Sequence, residues 1–159
     1  MHPNTIWYKD TDGDLYSDGT TIVQCADPGV TYDLAGALSG TNNDCDDADA
    51  REHPGQLWYK DADADDHGDS STGAMTQCLR PTDHYLDGEL TDTNDDCDDA
   101  DANNYVGNTE TCESGDNDCD GLVDEADPGF TGGSAYFRDG DSDGYGNAAS
   151  GAVTCTMQT

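Results

Sequence analysis

The chain has 159 residues and a formal net charge of −31, with 36 acidic side chains against 5 basic ones, and Leu, Ile, Val and Phe together supply only 17 residues. A chain so charged and so poor in large apolar groups cannot fold on a hydrophobic core alone, and it offers no basic patch to nucleic acid or an anionic membrane. No apolar run is long enough to span a bilayer and no signal peptide opens the sequence. Two staples remain, cations held by clustered carboxylates and disulfides among seven cysteines.

The first predicted element is a short strand at Ile6–Tyr8, followed by the aspartate run of WYKDTDGDLYSD. Asp10, Asp12 and Asp14 take positions 1, 3 and 5 of a calcium-type loop, the Tyr16 carbonyl position 7 and Asp18 position 9. A second strand is predicted at Thr20–Gln24, ending at Cys25. The acidic cysteine motif NNDCDDADA then supplies Asp44, Asp46, Asp47 and Asp49 and closes a first module, 1–56.

The pattern repeats with a period of 51 residues. A strand at Leu57–Tyr59 leads into WYKDADADDHGD, with Asp61, Asp63 and Asp65, the His67 carbonyl and Asp69 at the same five positions. NDDCDDADA follows with Asp96, Asp98, Asp99 and Asp101, giving a module over 57–107. An insert over 108–133 carries DNDCDG, where Asp116, Asp118, Asp120, Gly121 and Asp124 fit positions 1, 3, 5, 6 and 9, with Glu125 or Asp127 available beyond. A partial third module, 134–159, begins with a strand at Ala135–Phe137 and offers Asp139, Asp141, Asp143, the Tyr145 carbonyl and Asn147.

These loops depart from the helix-loop-helix calcium site. Position 12, a bidentate glutamate there, is Thr21, Thr72 or Ser150, and position 6, normally glycine, is Leu15, Asp66 or Gly144. No helical periodicity flanks them, so the missing ligands must come from elsewhere, and the acidic cysteine motifs are the natural donors. Dense carboxylates with carbonyls suit calcium's six to eight oxygen ligands better than magnesium's tight octahedron, whereas zinc and copper want nitrogen or sulfur. His2, His53, His67 and His84 are scattered and read as turn or surface residues. The alternative to bound metal is a merely solvated acidic surface, which would not produce repeats in register.

Cysteine order suggests bridges Cys25–Cys45, Cys78–Cys97 and Cys112–Cys119, leaving Cys155 over. His2-Pro3 echoes His53-Pro54, and no acidic motif follows Cys155. Two readings stay open, a fragment of a longer array or a subunit that joins head to tail into a fibre. Trp7, Trp58 and Tyr136, each with a second aromatic, could stack on sugars but fit better as each module's small core. Lys9, Lys60 and Arg138 stand ready to pair with spare carboxylates. No nucleophile-base set or phosphate-cradling loop emerges, so no enzyme is expected.

WYKDTDGD, NDCDDAD and DNDCDGLVDE resemble the bacterial surface-protein repeat labelled "putative metal-binding motif" and are similar to thrombospondin type 3 calcium repeats. The resemblance implies a secreted or surface-anchored protein with a structural or adhesive role, and it extends to a relative associated with copper. Ala64 and Asp66 depart from the glycines usual in such loops. The expectation is therefore a mostly irregular, small all-β chain of tandem modules stapled by calcium and disulfides, serving extracellularly as a stalk, spacer or fibre subunit. Metal capture, of calcium or copper, and glycan adhesion are the alternatives.

Overall fold

The computed structural model describes residues 4–113 and 115–155; the echo at His2-Pro3 lies outside the described residues. Among them there is no α-helix. Ten strands of two to five residues alternate with turns and three single-turn 3-10 segments, so the chain is small, mostly irregular and all-β.

Three contacting strands build the first sheet: β1 (Ile6–Lys9) lies between β2 (Thr21–Val23) and β3 (Tyr32–Asp33), both antiparallel to it. The second copy repeats this with β4 (Leu57–Lys60) between β6 (Met75–Thr76) and β7 (His84–Tyr85). A parallel pair joins β5 (His67–Asp69) to β8 (Asp92–Asp96), and β9 (Ser134–Tyr136) pairs antiparallel with β10 (Ala152–Thr154). The strands predicted at Ile6, Thr20, Leu57 and Ala135 are therefore present, shifted by a residue or less.

Contacts divide the chain into two compact units, one of Met1–Lys60 and Ala74–Asp87, the other of Asp61–Gly73 and Gly88–Thr159. The second copy is thus split, its aromatic sheet in the first unit and its aspartate loop in the second.

The core is polar. Among the described residues Trp7 and Trp58 are the buried large apolar ones, against ten buried polar or charged ones that include Asp10, Asp61, Asp96 and Glu110. Each tryptophan donates its indole N–H to the carbonyl of the glutamine that follows the neighbouring strand, Trp7 to Gln24 at 3.3 Å and Trp58 to Gln77 at 2.8 Å. The Arg80 guanidinium covers the Trp58 ring at 4.8 Å. Such a core supplies little hydrophobic stabilisation, and covalent and ionic links must supplement it.

The disulfides differ from the sequence expectation. They join Cys45 to Cys78, Cys97 to Cys119 and Cys112 to Cys155, and the free thiol is Cys25, which is exposed. Sequence order assumed that each module closes on itself. Instead, the Gln77 N–H bonds the Gln56 carbonyl and the Arg80 N–H bonds Glu52 Oε1, which lays the segment after β6 along the tail of the first acidic motif. Cys78 is thereby delivered onto Cys45. Likewise the Tyr105 N–H bonds the Asn117 carbonyl and brings the insert's Cys119 to Cys97. Bridges closing loops of this size contribute about 3–4 kcal/mol each in the chain-entropy account.

Candidate metal centres

All four aspartate loops share one backbone form. Position 4 is left-handed in each, at Gly13, Ala64, Cys119 and Ser142, with φ of 81°, 64°, 60° and 62°. Position 6 is left-handed too, at Leu15, Asp66, Gly121 and Gly144, with φ of 76°, 71°, 90° and 84°. Where non-glycine residues hold this conformation they carry strain of about 1 kcal/mol or more, so the surroundings must over-determine it.

The aspartates do so. The position-1 carboxylate accepts from position 4 through one oxygen and from position 6 through the other: Gly13 and Leu15 donate to Asp10 at 2.7 and 3.2 Å, Ala64 and Asp66 to Asp61 at 2.7 and 3.2 Å, Ser142 and Gly144 to Asp139 at 2.7 and 3.0 Å. In the insert, Asp120 and Gly121 donate to Asp116 at 3.1 and 3.0 Å. Position 5 accepts from position 7 in every loop, Tyr16 to Asp14 at 2.7 Å, His67 to Asp65 at 2.7 Å, Leu122 to Asp120 at 2.7 Å and Tyr145 to Asp143 at 2.8 Å. In the first two loops the position-5 oxygen left unused, Asp14 Oδ2 or Asp65 Oδ2, is buried.

The loops differ in what covers them. In the first, the Tyr16–Gly40 bridge and the Asp44 N–H to Ser17 carbonyl bond bring Asp44 to the aspartates. Asp47 clamps the other side, accepting from Lys9 Nζ, Thr11 N–H and Thr11 Oγ1. In the second, β5 and β8 bring up Asp96, and Asp99 accepts from the Ala62 N–H at 2.6 Å. A ring pair seals each, Tyr16 on His53 at 5.3 Å and His67 on Tyr105 at 4.0 Å. His67 Nδ1 is further held at 2.8 Å from Asp95.

Seven buried carboxylate oxygens at these two places have no hydrogen-bond partner: Asp12 Oδ2, Asp14 Oδ2 and Asp44 Oδ2 in the first, both oxygens of Asp63, Asp65 Oδ2 and Asp96 Oδ2 in the second. Asp10, Asp12 and Asp14 present oxygens within 4.8 Å of one another, as do Asp61, Asp63 and Asp65. Burial, and then the like charges around them, raise the carboxyls of Asp12, Asp14, Asp44, Asp63 and Asp65 above the ordinary range. Asp96, wholly buried beside Asp63 and Asp65, is pushed up to about 6. Leaving so many buried anionic oxygens unpaired costs several kcal/mol; a hard cation at the focus removes that cost, and an all-oxygen donor set fits one.

The insert gathers its carboxylates differently. Glu110, 2% exposed, accepts from the Asn117 and Asp124 N–H groups, both at 2.8 Å, and shares a focus with Asp116 and Asp118. Asp118 also shares a focus with Asp120 and the buried Asp127. Cys112, Asp124 and Cys155 converge as well, but those sulfurs are bonded to each other and cannot ligate.

The remaining predicted residues have other placements. Asp18 is exposed and accepts from Thr20, Asp69 is buried and accepts from Ser71, and Asp46 accepts from Ala48. Asp49 pairs with Arg51 and Asp101 accepts from Asn103, while Asp98 is exposed. In the third module Asp139, Asp141, Asp143, Tyr145 and Asn147 are all exposed. Glu110 and Asp95 were not legible in the sequence; the one hint of Glu110 was the missing position-12 glutamate, which demanded an imported carboxylate.

No helix of the described residues is long and apolar enough to cross a membrane. No curated protein and no solved structure matches the chain. A family model labelled copper-binding MopE does match it, at residues 44–57 and 96–125. The matched stretches begin at Asp44 and Asp96, the two carboxylates that cover the aspartate loops, and the second runs through the DNDCDG insert. At these two regions the chain carries the motif that family describes as "Putative metal-binding motif".

Proposed function

We propose that this chain is an extracellular, calcium-stapled structural module without catalytic activity, in which each ion ties an aspartate loop to the acidic cysteine motif that follows it. The observation that carries this reading is the set of seven partnerless, buried carboxylate oxygens focused at the first two loops. Asp12, Asp14 and Asp44 would hold one ion and Asp63, Asp65 and Asp96 another, with Asp10 and Asp61 bracing the loop backbone. Calcium is favoured because the donors focused at both places are carboxylate oxygens, while six cysteines are in disulfides and the His67 ring is committed to Asp95 and Tyr105.

The mechanical consequence is a chain whose rigidity is set by ions and cystines. Disulfides persist in an oxidising compartment, which supports a secreted or surface setting for a stalk, spacer or fibre subunit. Thermal melting with calcium and then with excess chelator tests the proposal. Calcium should raise the melting temperature by 10 °C or more, on the order of a few kcal/mol for a chain of this size, and an unchanged transition would refute it.

The family label favours one second reading, metal capture with copper as the cargo. Competition between calcium and copper separates the two: calcium should prevail in the native protein, and tight copper binding that displaces it would favour capture.

A further inference from the structure

Both covering carboxylates stand directly before a cystine. Asp44 precedes Cys45, which is bonded to Cys78, and Asp96 precedes Cys97, which is bonded to Cys119. At the second site the cystine also reaches into another aspartate loop, because Cys119 holds position 4 of the insert. In the other three loops the left-handed position 4 donates its N–H to the position-1 carboxylate, Gly13 to Asp10, Ala64 to Asp61 and Ser142 to Asp139. In the insert that bond is made one residue later, by the Asp120 N–H to Asp116 at 3.1 Å, and position 4 is a non-glycine residue at φ 60° whose side chain is half of the disulfide. A covalent bond stands where the other loops use a hydrogen bond.

A short, continuous path joins this cystine to the buried carboxylate. The Cys97 N–H bonds the Asn104 carbonyl at 3.2 Å, the Val106 N–H bonds the Asp95 carbonyl at 2.9 Å, and the Tyr105 N–H bonds the Asn117 carbonyl at 3.1 Å. Residues 95–97, 104–106 and 117–119 therefore lie side by side, and the cystine ties the first stretch to the last. On the loop side the Asp96 carbonyl accepts from the Ser70 N–H at 2.7 Å, and β8 lies so close on β5 that Gly68 has no room for a Cβ beside Thr93. Asp96, wholly buried with Oδ2 unpartnered, is thus held between the aspartate loop and the cystine. Cys97 itself is exposed and Cys119 half-buried, so a thiol or disulfide in solution can reach the bond.

We propose that closure of the Cys97–Cys119 cystine and calcium binding at the second loop are linked, so that the second site reaches full affinity only after the two thiols are oxidised. This rests on the cation reading of that loop and names what regulates it. The oxidant is a small-molecule disulfide of the oxidised-glutathione class. The Cys97 sulfur attacks one sulfur of it, forming a mixed disulfide and releasing one thiolate; the Cys119 sulfur then attacks Cys97, closing the protein bond and releasing the second. Two electrons pass to the oxidant, and the two protein thiol protons go to the departing thiolates. A reducing compartment thus holds the chain with a weak second site, and an oxidising one completes it. Linkage is reciprocal: whatever factor the cystine adds to calcium affinity, calcium adds to the stability of the cystine.

The test equilibrates the full chain in glutathione buffers of graded oxidation, with calcium or with chelator, then alkylates free thiols and maps each cystine by mass. Calcium should shift the Cys97–Cys119 equilibrium towards the disulfide by about tenfold or more. In a calcium titration followed by amide shifts of residues 61–69, the oxidised chain should bind more tightly, by the same factor, than Cys97→Ser with Cys119→Ser. Absence of those shifts in the oxidised chain would remove the cation reading and this proposal with it. Asp63→Asn with Asp65→Asn should abolish calcium's effect on the cystine, whereas Asp12→Asn with Asp14→Asn should leave it in place, which separates a local link from general stabilisation of the fold. The redox equilibrium is read on the native sequence, so it decides the matter even if the serine variant fails to fold. With the shifts present, a cystine indifferent to calcium, or a calcium effect that persists without Asp63 and Asp65 or is lost without Asp12 and Asp14, would overturn the link while leaving the cation reading intact.

Discussion

Replacing Asp96 with asparagine should change stability in opposite directions with and without calcium. Asp96 is wholly buried; its Oδ1 accepts from the Asp98 N–H at 2.8 Å, and its Oδ2 has no partner. Burial, followed by the charges of Asp63, Asp65 and Asp99, lifts its carboxyl from an ordinary 3.8 to about 6. That rise corresponds to about 3 kcal/mol of penalty on the ionised form at neutral pH. Asp96→Asn keeps the shape and the bond from Asp98, removes the charge and offers an N–H to the neighbouring carboxylates. In chelator the variant should therefore melt about 3–10 °C higher than the parent, allowing for relaxation of the site. In saturating calcium it loses a charged ligand, and the second site should weaken at least tenfold, bringing the melting temperature below that of the parent. Differential scanning calorimetry at pH 7 in both buffers reads the two signs. A variant that is less stable in both conditions would refute the assignment of Asp96 to an ion and return it to an ordinary structural role.

Further outcomes follow from the same geometry. Because the Asp96 carboxyl titrates higher in the folded than in the unfolded chain, the ion-free protein should gain stability as pH falls from 7 through 6 towards 4, whereas the calcium form should lose it as protons compete; calorimetry at pH 7 and 5 checks both signs. Gly68→Ala should cost several kcal/mol and abolish calcium binding at the second loop but not the first, because a Cβ there would lie 2.5 Å from the Thr93 carbonyl, where β5 meets β8; calcium titration followed by amide shifts resolves the two loops. Glu110→Gln should destabilise the second unit by about 2 kcal/mol, weakening two charge-assisted bonds that fix the insert, and chemical denaturation measures it. Maleimide labelling of the native, unreduced protein should modify Cys25 and no other cysteine, as mass mapping of the adduct would show.

The aspartate loops were legible because their chemistry is local. A carboxylate at positions 1 and 5 bonds N–H groups only a few residues ahead, so Asp10, Asp14 and their equivalents announce themselves by spacing alone. Strands β1, β2, β4 and β9 were legible for a similar reason, as short apolar runs bounded by turn residues, whereas β3, β5 to β8 and β10 were not predicted. What the sequence hid is non-local or held against preference. Leu15, Ala64 and Asp66 give no sign of a left-handed backbone, which the position-1 carboxylate imposes on them.

The choice among four aspartates in each acidic motif was equally hidden. Asp44 and Asp96 face inward because a parallel bridge places the residue just before the cysteine against the loop, while Asp46 and Asp98 remain exposed. Cysteine order misled because strand pairing in the following copy, rather than proximity in sequence, brings Cys78 to Cys45. Glu110 stood outside every repeat, and only the folded insert brings it to Asp116.

A crystal structure of the calcium-loaded protein tests the central claim most directly. The account predicts one ion in the first loop bound by Asp12, Asp14 and Asp44, and one in the second bound by Asp63, Asp65 and Asp96, at about 2.3–2.6 Å. A folded chain with only water at both places in excess calcium would contradict it.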